Sequence, residues 1–206
     1  MRKPLLSAAL AALALAACDG SPTAGGDLAM DRAEAENAAA VWDAVGAMMM
    51  DAFVGPTSSA APADRPSFAT ATTEFTRTRE CPAGGTATLQ GTRTVNHDPA
   101  TNSGSMQMTA TRTDAACTMD ARHGEGTISI TSTPNVQVTA SQTWSGGQPG
   151  VRTATHKGSF SWTRSTGQSG SCTVDLTATW TPATRTYTLN GTFCNQTVSV
   201  TRTRTP

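Results

Sequence analysis

The chain has 206 residues, with 15 basic and 15 acidic side chains and a formal net charge of zero. This balance excludes a general nucleic-acid binder, because such proteins carry a clear excess of Lys and Arg. Hydrophobic residues make up 37% of the chain, which indicates a folded core and excludes a collagen-like or acidic disordered protein. The chain also contains 37 threonines, nearly all after Ala69, and a β-branched residue at this frequency predicts strands.

The zero net charge is the sum of three unlike segments. Residues 1–18 carry two bases and no acid, residues 19–64 carry eight acids against one base, and residues 65–206 carry twelve bases against seven acids. Each segment therefore needs its own interpretation. The opposite signs of the second and third segments predict that the acidic segment docks on the basic one, and that high salt loosens this contact.

The first segment has the layout of an export signal. Two basic residues are followed by an apolar stretch over residues 5–17, which has the length of a signal peptide and is short for a membrane span. Residues 15–18 read Leu-Ala-Ala-Cys, and a polar stretch follows directly.

This pattern resembles the signal of bacterial lipoproteins, whose lipobox is Leu, two small residues and Cys. The resemblance implies cleavage between Ala17 and Cys18, a diacylglyceryl group on the Cys18 sulfur, and a mature protein held on a membrane by lipid. Residues 1–17 are thus predicted as a signal peptide, and the location as the bacterial cell envelope, with the leaflet left open. An ordinary secretory signal and an uncleaved anchor helix are the alternatives.

The acidic segment predicts a tether, a helix and a linker. Residues 18–26 are polar and rich in Gly and Pro, which suits the lipidated cysteine and a flexible tether. Residues 27–54 form the predicted acidic amphipathic helix, with Asp27 or Asp31 as its N-cap, and residues 55–67 form a linker rich in Pro, Ala and Ser. The apolar positions at helical spacing are Ala38, Val41, Trp42, Val45, Met48, Met49, Ala52 and Phe53. This face is expected to pack against a sheet, and a methionine-lined partner groove or copper site at residues 48–50 is the alternative.

From residue 68 onward, apolar and polar residues alternate with the period of strands, as in Val174, Leu176 and Ala178. No run is followed by a crossover helix, so about ten strands are predicted to pair as an antiparallel meander. Residues 68–206 are therefore predicted to form one mainly β, Thr-rich domain. Its sheet is expected to form a barrel, a half-barrel or a sandwich, with the N-terminal helix available to cover an open apolar face.

Four cysteines remain in the β domain once Cys18 is set aside, and an even number in an exported chain predicts disulfides. Neither a CxxC nor a CxxH spacing occurs, which argues against zinc. Three pairings are possible. The pairing of Cys81 with Cys117 and of Cys172 with Cys194 is favoured, because each bond then joins strands that are close in sequence.

Arginine follows the apolar residues on the same face of several predicted strands. Two interpretations compete: the arginine stems cover the edge of the core, or an apolar groove with a basic rim binds an anionic amphiphile or an acidic partner. The residues of this candidate binding site are Arg77, Arg93, Arg112, Phe160, Trp162, Arg164 and Arg202.

Motifs of known enzymes are missing from the sequence, which contains no GxSxG, HExxH or phosphate-binding loop. Asp120, His123 and Glu125 surround a turn and could bind a divalent cation, although solvated turn residues are the simpler interpretation. His156 shares a face with apolar residues and is expected to be an inward histidine with its hydrogen bonds satisfied. Three tryptophans, Trp144, Trp162 and Trp180, either close strand ends of the core or form exposed stacking platforms.

Together these features predict a membrane-anchored envelope lipoprotein that acts by non-enzymatic binding or structural interaction. Its predicted partners are membrane lipid, through acylated Cys18, and an envelope protein or amphiphilic ligand; no cofactor, metal or nucleic acid is predicted. A carrier of a lipid or other anionic amphiphile is the first alternative. A metal-dependent hydrolase built on the turn at residues 120–125 is the second.

Overall fold

The computed structural model describes residues 30–51, 69–121, 126–132 and 136–203. The predicted signal peptide, the lipidation site at Cys18, the tether and the linker lie outside these residues. The same holds for the outermost residues of the predicted helix and for His123 and Glu125.

The described part of the acidic segment forms one helix, α1 (Arg32–Asp51). Asp31 caps its start, because its side-chain oxygen accepts a hydrogen bond of 2.8 Å from the backbone N–H of Glu34. Arg32 and Glu36 form an ion pair at the i, i+4 spacing of a helix surface. Of the two predicted N-caps, Asp31 is confirmed. The residues of α1 with at most 1% of their surface exposed include Ala35, Ala38, Ala39, Trp42, Asp43 and Val45.

The described residues of the basic segment form ten strands in one antiparallel sheet. The strands are β1 (Ala69–Glu80), β2 (Thr86–Asp98), β3 (Ser103–Ala115), β4 (Cys117–Asp120), β5 (Thr127–Thr131), β6 (Val136–Ser145), β7 (Gln148–Arg164), β8 (Ser169–Thr181), β9 (Thr186–Phe193) and β10 (Gln196–Thr203).

The ten strands form eight lines in the sheet, where a line is one position across the sheet that is filled by a single strand or by two consecutive strands. β3 continues into β4 past Ala116, whose positive φ of 50° kinks the line. β5 continues into β6 across the break at residues 132–135, since both pair with β7 in the same direction. Each line therefore pairs with the next line along the chain, which confirms the predicted antiparallel meander of a mainly β protein.

Alternation along the strands separates an apolar inner face from a polar outer face. Val174, Leu176 and Ala178 are buried as predicted, together with Ile128 and Ile130. Threonines occupy much of the outer face, where hydroxyls of neighbouring strands bond one another; such cross-strand pairs stabilise a sheet and account for the abundance of this residue type. The hydroxyl pairs are Thr72–Thr94, Thr78–Thr88 and Thr139–Thr155.

The sheet is open, and α1 lies against its inner face. The helix contacts β1 and β2 near one edge and β9 and β10 near the other. Glu34 near the start of the helix contacts Arg164 at one end of β7, and Ala47 near its end lies by Arg152 at the other, so the helix runs along the strands. A helix in this direction reaches both edges of the sheet only if the sheet curves around it, which makes the arrangement a half-barrel, one of the three predicted alternatives. The helix packs on the sheet as predicted, and its side chains complete the core.

Two disulfides join strand ends and turns in the β domain. Cys81 is bonded to Cys117 and Cys172 to Cys194, which confirms the favoured pairing. The sequence separations of 36 and 22 residues correspond to a stabilisation of about 3–4 kcal/mol for each bond on the chain-entropy model.

Candidate functional site

The interface between α1 and the sheet contains three clusters of polar residues inside an otherwise apolar core. The first is built around Arg112 and Asp114, neighbours on the inner face of β3 that are both fully buried. The Arg112 guanidinium donates to both oxygens of Asp114, and Asp114 also accepts from Trp42 Nε1 at 3.0 Å. Ser132, in the break between β5 and β6, donates to the same carboxylate. This cluster therefore joins α1 to the centre of the sheet.

Arg112 also holds the backbone and ring of Trp42. Its Nη1 donates to the Trp42 carbonyl oxygen at 2.6 Å, and its guanidinium carbon lies 3.8 Å from the centre of the indole ring. A Cβ at Gly46, one helical turn further, would come within 3.1 Å of the same Nη1. Burial lowers the pKa of Arg112, and the charge of Asp114 opposes this shift. The guanidinium stays protonated, because arginine is too basic to lose its proton in a protein.

The second cluster centres on Asp43, the neighbour of Trp42 on α1. Its carboxylate accepts a hydrogen bond of 2.5 Å from the Tyr187 hydroxyl and lies 3.0 Å from His156 Nε2. The contact with His156 is an ion-pair distance without the alignment of a hydrogen bond. Burial acts to raise the pKa of Asp43, but His156, Tyr187 and the charge of Arg112 together hold it below its usual value. His156 points inward as predicted, although its Nδ1 has no hydrogen-bond partner among the described residues.

The third cluster lies at the start of α1, where Glu34 forms an ion pair with Arg164 of β7. The Arg164 guanidinium also lies 5.5 Å from the ring centre of Trp162. Burial raises the pKa of Glu34, and the charge of Arg164 offsets this only in part. This contact is an ion pair of the kind predicted between the acidic segment and the basic one, whereas Asp43 lies against a tyrosine hydroxyl and a histidine.

Near the end of α1, the inner face of the sheet becomes accessible to solvent. The row of large side chains at this edge is here called the lip. The lip consists of Arg152, Trp180, Tyr187 and Arg202, each the direct cross-strand partner of the next on β7 to β10. A shallow cleft of about 20 Å³ adjoins it, lined on the helix side by Asp43 and Ala47. This volume is about that of one water molecule, so the cleft does not enclose a small-molecule ligand.

The seven predicted binding residues do not form one site. Phe160 and Trp162 are 2% exposed and belong to the core, and Arg112 lies in the interior with its guanidinium bound to Asp114. The predicted basic rim therefore does not include Arg112. The predicted residues that keep solvent-exposed or half-buried surface are Arg77, Arg93, Arg164 and Arg202. They lie on different parts of the molecule: Arg77 and Arg93 on β1 and β2, Arg164 at the end of β7 beside the start of α1, and Arg202 in the lip.

The groove predicted for an amphiphile is occupied by α1. A ligand on the part of the inner face that α1 covers would have to displace the helix and its three polar clusters. Of the predicted metal-binding turn, only Asp120 lies among the described residues, and these contain no group of three metal-ligating side chains. Of the three predicted tryptophans, Trp162 is buried, whereas Trp144 and Trp180 keep exposed surface at the lip end of the sheet.

Sequence reasoning missed Asp43, Asp114 and Tyr187 as partners of the helix–sheet interface. Asp114 carried a signal, because it continues the inward alternation of Arg112 on one strand. A buried role for Asp43 was less clearly indicated by the sequence, since an acid next to the apolar face of a helix normally reaches solvent.

A scan against models of known protein families gives no match, and searches of curated proteins and of solved structures give none either. Within the described residues, no helix has the length and apolarity that a membrane span requires.

Proposed function

We propose that this protein is a lipid-anchored lipoprotein of the bacterial cell envelope that works by non-enzymatic binding or structural interaction. The anchor is Cys18, acylated after cleavage of residues 1–17. The observation that carries the proposal is the lipobox pattern of residues 15–18, directly after a basic start and a short apolar stretch. The two disulfides support it, because such bonds persist in exported proteins and are rare in a reducing cytoplasm.

The interior of the β domain supports binding rather than catalysis. Its ionisable side chains are used to hold α1: Asp114 binds Arg112 and Trp42, and Asp43 binds Tyr187 and His156. His156 is only 1% exposed, so neither substrate nor solvent reaches it in this conformation. A β domain held together by two disulfides and attached to a membrane by lipid is suited to present its outer surface to a partner.

The proposal is tested by expressing the full chain in a Gram-negative host with radiolabelled palmitate and comparing it with the variant Cys18→Ser. The wild-type chain is expected to incorporate label and to sediment with membranes. Cys18→Ser is expected to lose the label and to remain uncleaved in front of residue 18. Its distribution between the membrane and soluble fractions is expected to differ from that of the wild type. Ser21→Ala, three residues further along the chain, serves as the matched control and is expected to behave as the wild type.

An unlabelled wild-type chain, or label that persists in Cys18→Ser, would overturn the lipid anchor. Cleavage of both chains at one other position would identify an ordinary secretory signal instead.

A further inference from the structure

The lip has a regular composition that the helix–sheet clusters do not explain. Its four residues follow one another across four neighbouring strands in the order Arg152, Trp180, Tyr187 and Arg202. Direct cross-strand partners place their side chains on the same face of a sheet, about 4.5–5.5 Å apart. Two aromatic residues are therefore neighbours in the row, with an arginine at each end.

This row is where the inner face meets solvent. One step further inside, the corresponding residues Ala154, Ala178 and Leu189 are buried, with 3%, 7% and 0% of their surface exposed. In the lip itself Arg202 is exposed and the other three residues are half-buried. The small side chains of Ala154 and Ala178 also leave the shallow cleft beside Trp180 and Tyr187.

The charges around the lip favour an anion. Burial and Asp43 raise the pKa of the Tyr187 hydroxyl, and the positive charges of Arg202 and Arg152 oppose this shift, so both arginines lie near that hydroxyl. The acid that lines the cleft, Asp43, is 1% exposed and is engaged by Tyr187 and His156, so it presents little free charge to a ligand. The row thus presents to solvent parts of two arginines and of two aromatic side chains.

The lip lies near the end of α1, away from the start of the helix. The start of α1, which follows the tether in the chain, contacts Arg164 through Glu34, whereas Ala47 near its end lines the cleft at the lip. These two helix positions are about 20 Å apart at the rise of an α-helix. A partner of the lip therefore approaches from the side opposite the start of the helix.

We propose that the lip binds an anionic glycan, with sugar rings stacked on Trp180 and Tyr187 and with carboxylates bound by Arg152 and Arg202. The choice of a glycan rests on the proposed envelope location, because acidic polysaccharides are exposed there. Spacing supports it as well: the two arginines are separated by three inter-strand steps, about 14 Å at the usual strand spacing. Flat ring bodies with acidic groups on either side match this row, and guanidinium groups bind carboxylates in pairs of parallel hydrogen bonds.

An acidic peptide is the competing ligand, since it satisfies the arginines but has no flat rings for the aromatic pair. The test therefore uses three probes on the purified full chain in detergent: a hexamer of galacturonic acid, the same hexamer as its neutral methyl ester, and hexaglutamate. Binding is measured by isothermal titration calorimetry. The galacturonate hexamer is expected to bind saturably, and the methyl ester and hexaglutamate at least about tenfold more weakly.

Four variants locate the site. Arg152→Gln and Arg202→Gln are each expected to weaken galacturonate binding by about tenfold or more, and Trp180→Leu by about fivefold or more. Lys157→Gln is the matched control, because it removes one positive charge from the same strand as Arg152 but on the outer face, where Lys157 pairs with Asp175. It is expected to bind as the wild type does. Thermal unfolding of each variant checks that the fold is intact.

Equal or tighter binding of hexaglutamate would overturn the glycan in favour of an acidic peptide. Equal weakening by Lys157→Gln would show general charge attraction and contradict a site at the lip. No saturable binding of any probe would overturn the inference, and none of these results depends on whether Cys18 is acylated.

Discussion

Arg112 contacts Trp42 in two ways: its guanidinium carbon lies 3.8 Å from the centre of the indole ring, and its Nη1 donates a hydrogen bond of 2.6 Å to the Trp42 carbonyl oxygen. The indole N–H in turn donates to Asp114, the ion-pair partner of Arg112. One buried side chain of the sheet thus fixes both the rotamer and the backbone position of a helix residue 70 positions earlier in the chain. Such buried polar contacts cost desolvation, and loss of one partner leaves the other buried and uncompensated.

Replacement of Arg112 tests its contacts with Trp42 and Asp114. Arg112→Met keeps an unbranched apolar stem but leaves Asp114 as a buried charge without its cation, and is expected to lower the free energy of unfolding by about 3–5 kcal/mol. The double variant Arg112→Met, Asp114→Leu removes the orphaned charge as well and is expected to recover part of this loss. Urea denaturation followed by circular dichroism measures both. A double variant less stable than Arg112→Met alone would contradict the explanation.

Gly46 is expected to be required by the close approach of Arg112. Alanine at a helix interior normally gains about 1 kcal/mol over glycine, but at position 46 its Cβ would lie 3.1 Å from a guanidinium nitrogen whose group is held by Asp114 and cannot yield. Gly46→Ala is therefore expected to destabilise the wild-type protein. In the Arg112→Met background the same change is expected to stabilise by about 1 kcal/mol. The same sign in both backgrounds, measured by urea denaturation, would refute the close contact.

The charge of Asp43 is expected to contribute to stability through Tyr187 and His156. Asp43→Asn keeps the shape but loses the charged acceptor, which is expected to lower the free energy of unfolding by about 2–3 kcal/mol. Glu36→Gln is the matched control on the same helix, because the ion pair of Glu36 with Arg32 lies at the surface; its loss is expected to cost less than about 0.5 kcal/mol. Similar losses in the two variants, compared by chemical denaturation, would argue against the buried cluster.

Acid should act on the protein through the same carboxylate. The pKa of Asp43 is lower in the folded protein than its ordinary value of 3.8, because His156 and Tyr187 bind the charged form more strongly than burial opposes it. A depressed folded pKa contributes stability that is fully present above the unfolded pKa and is lost as the pH falls through the folded one. The free energy of unfolding is therefore expected to fall below about pH 3.8, and to fall less steeply in Asp43→Asn. Parallel pH profiles for the two proteins between pH 5 and 2 would exclude Asp43 as the source.

The elements of the fold were predictable because each depends on local patterns. Alternation identified the inner positions Val174 and Leu176, and cysteine spacing favoured the bond between Cys172 and Cys194. The candidate site was less predictable, because it depends on which strands the helix lies against. Arg112 follows apolar residues on its strand just as Arg164 does, yet one is fully buried and the other reaches solvent. The position of Trp42 over Arg112 decides between the two outcomes, and strand periodicity does not reveal which helix residue lies there.

The lip illustrates the same limit. Arg152, Trp180, Tyr187 and Arg202 come from four strands, and of these only Trp180 and Tyr187 lie close together in sequence, on the two sides of one hairpin turn. Their alignment follows from strand register, which is set by turn lengths and by pairing along the whole meander. Arg202 was among the predicted binding residues, whereas Arg152 and Tyr187 were not.

The most direct test of the proposed function is intact-mass and peptide mass spectrometry of the mature protein purified from membranes. The account predicts an N-terminal peptide that begins at Cys18 and carries a diacylglyceryl group and an N-linked acyl chain. A mature protein that begins at any other residue, or that carries an unmodified Cys18, would contradict it.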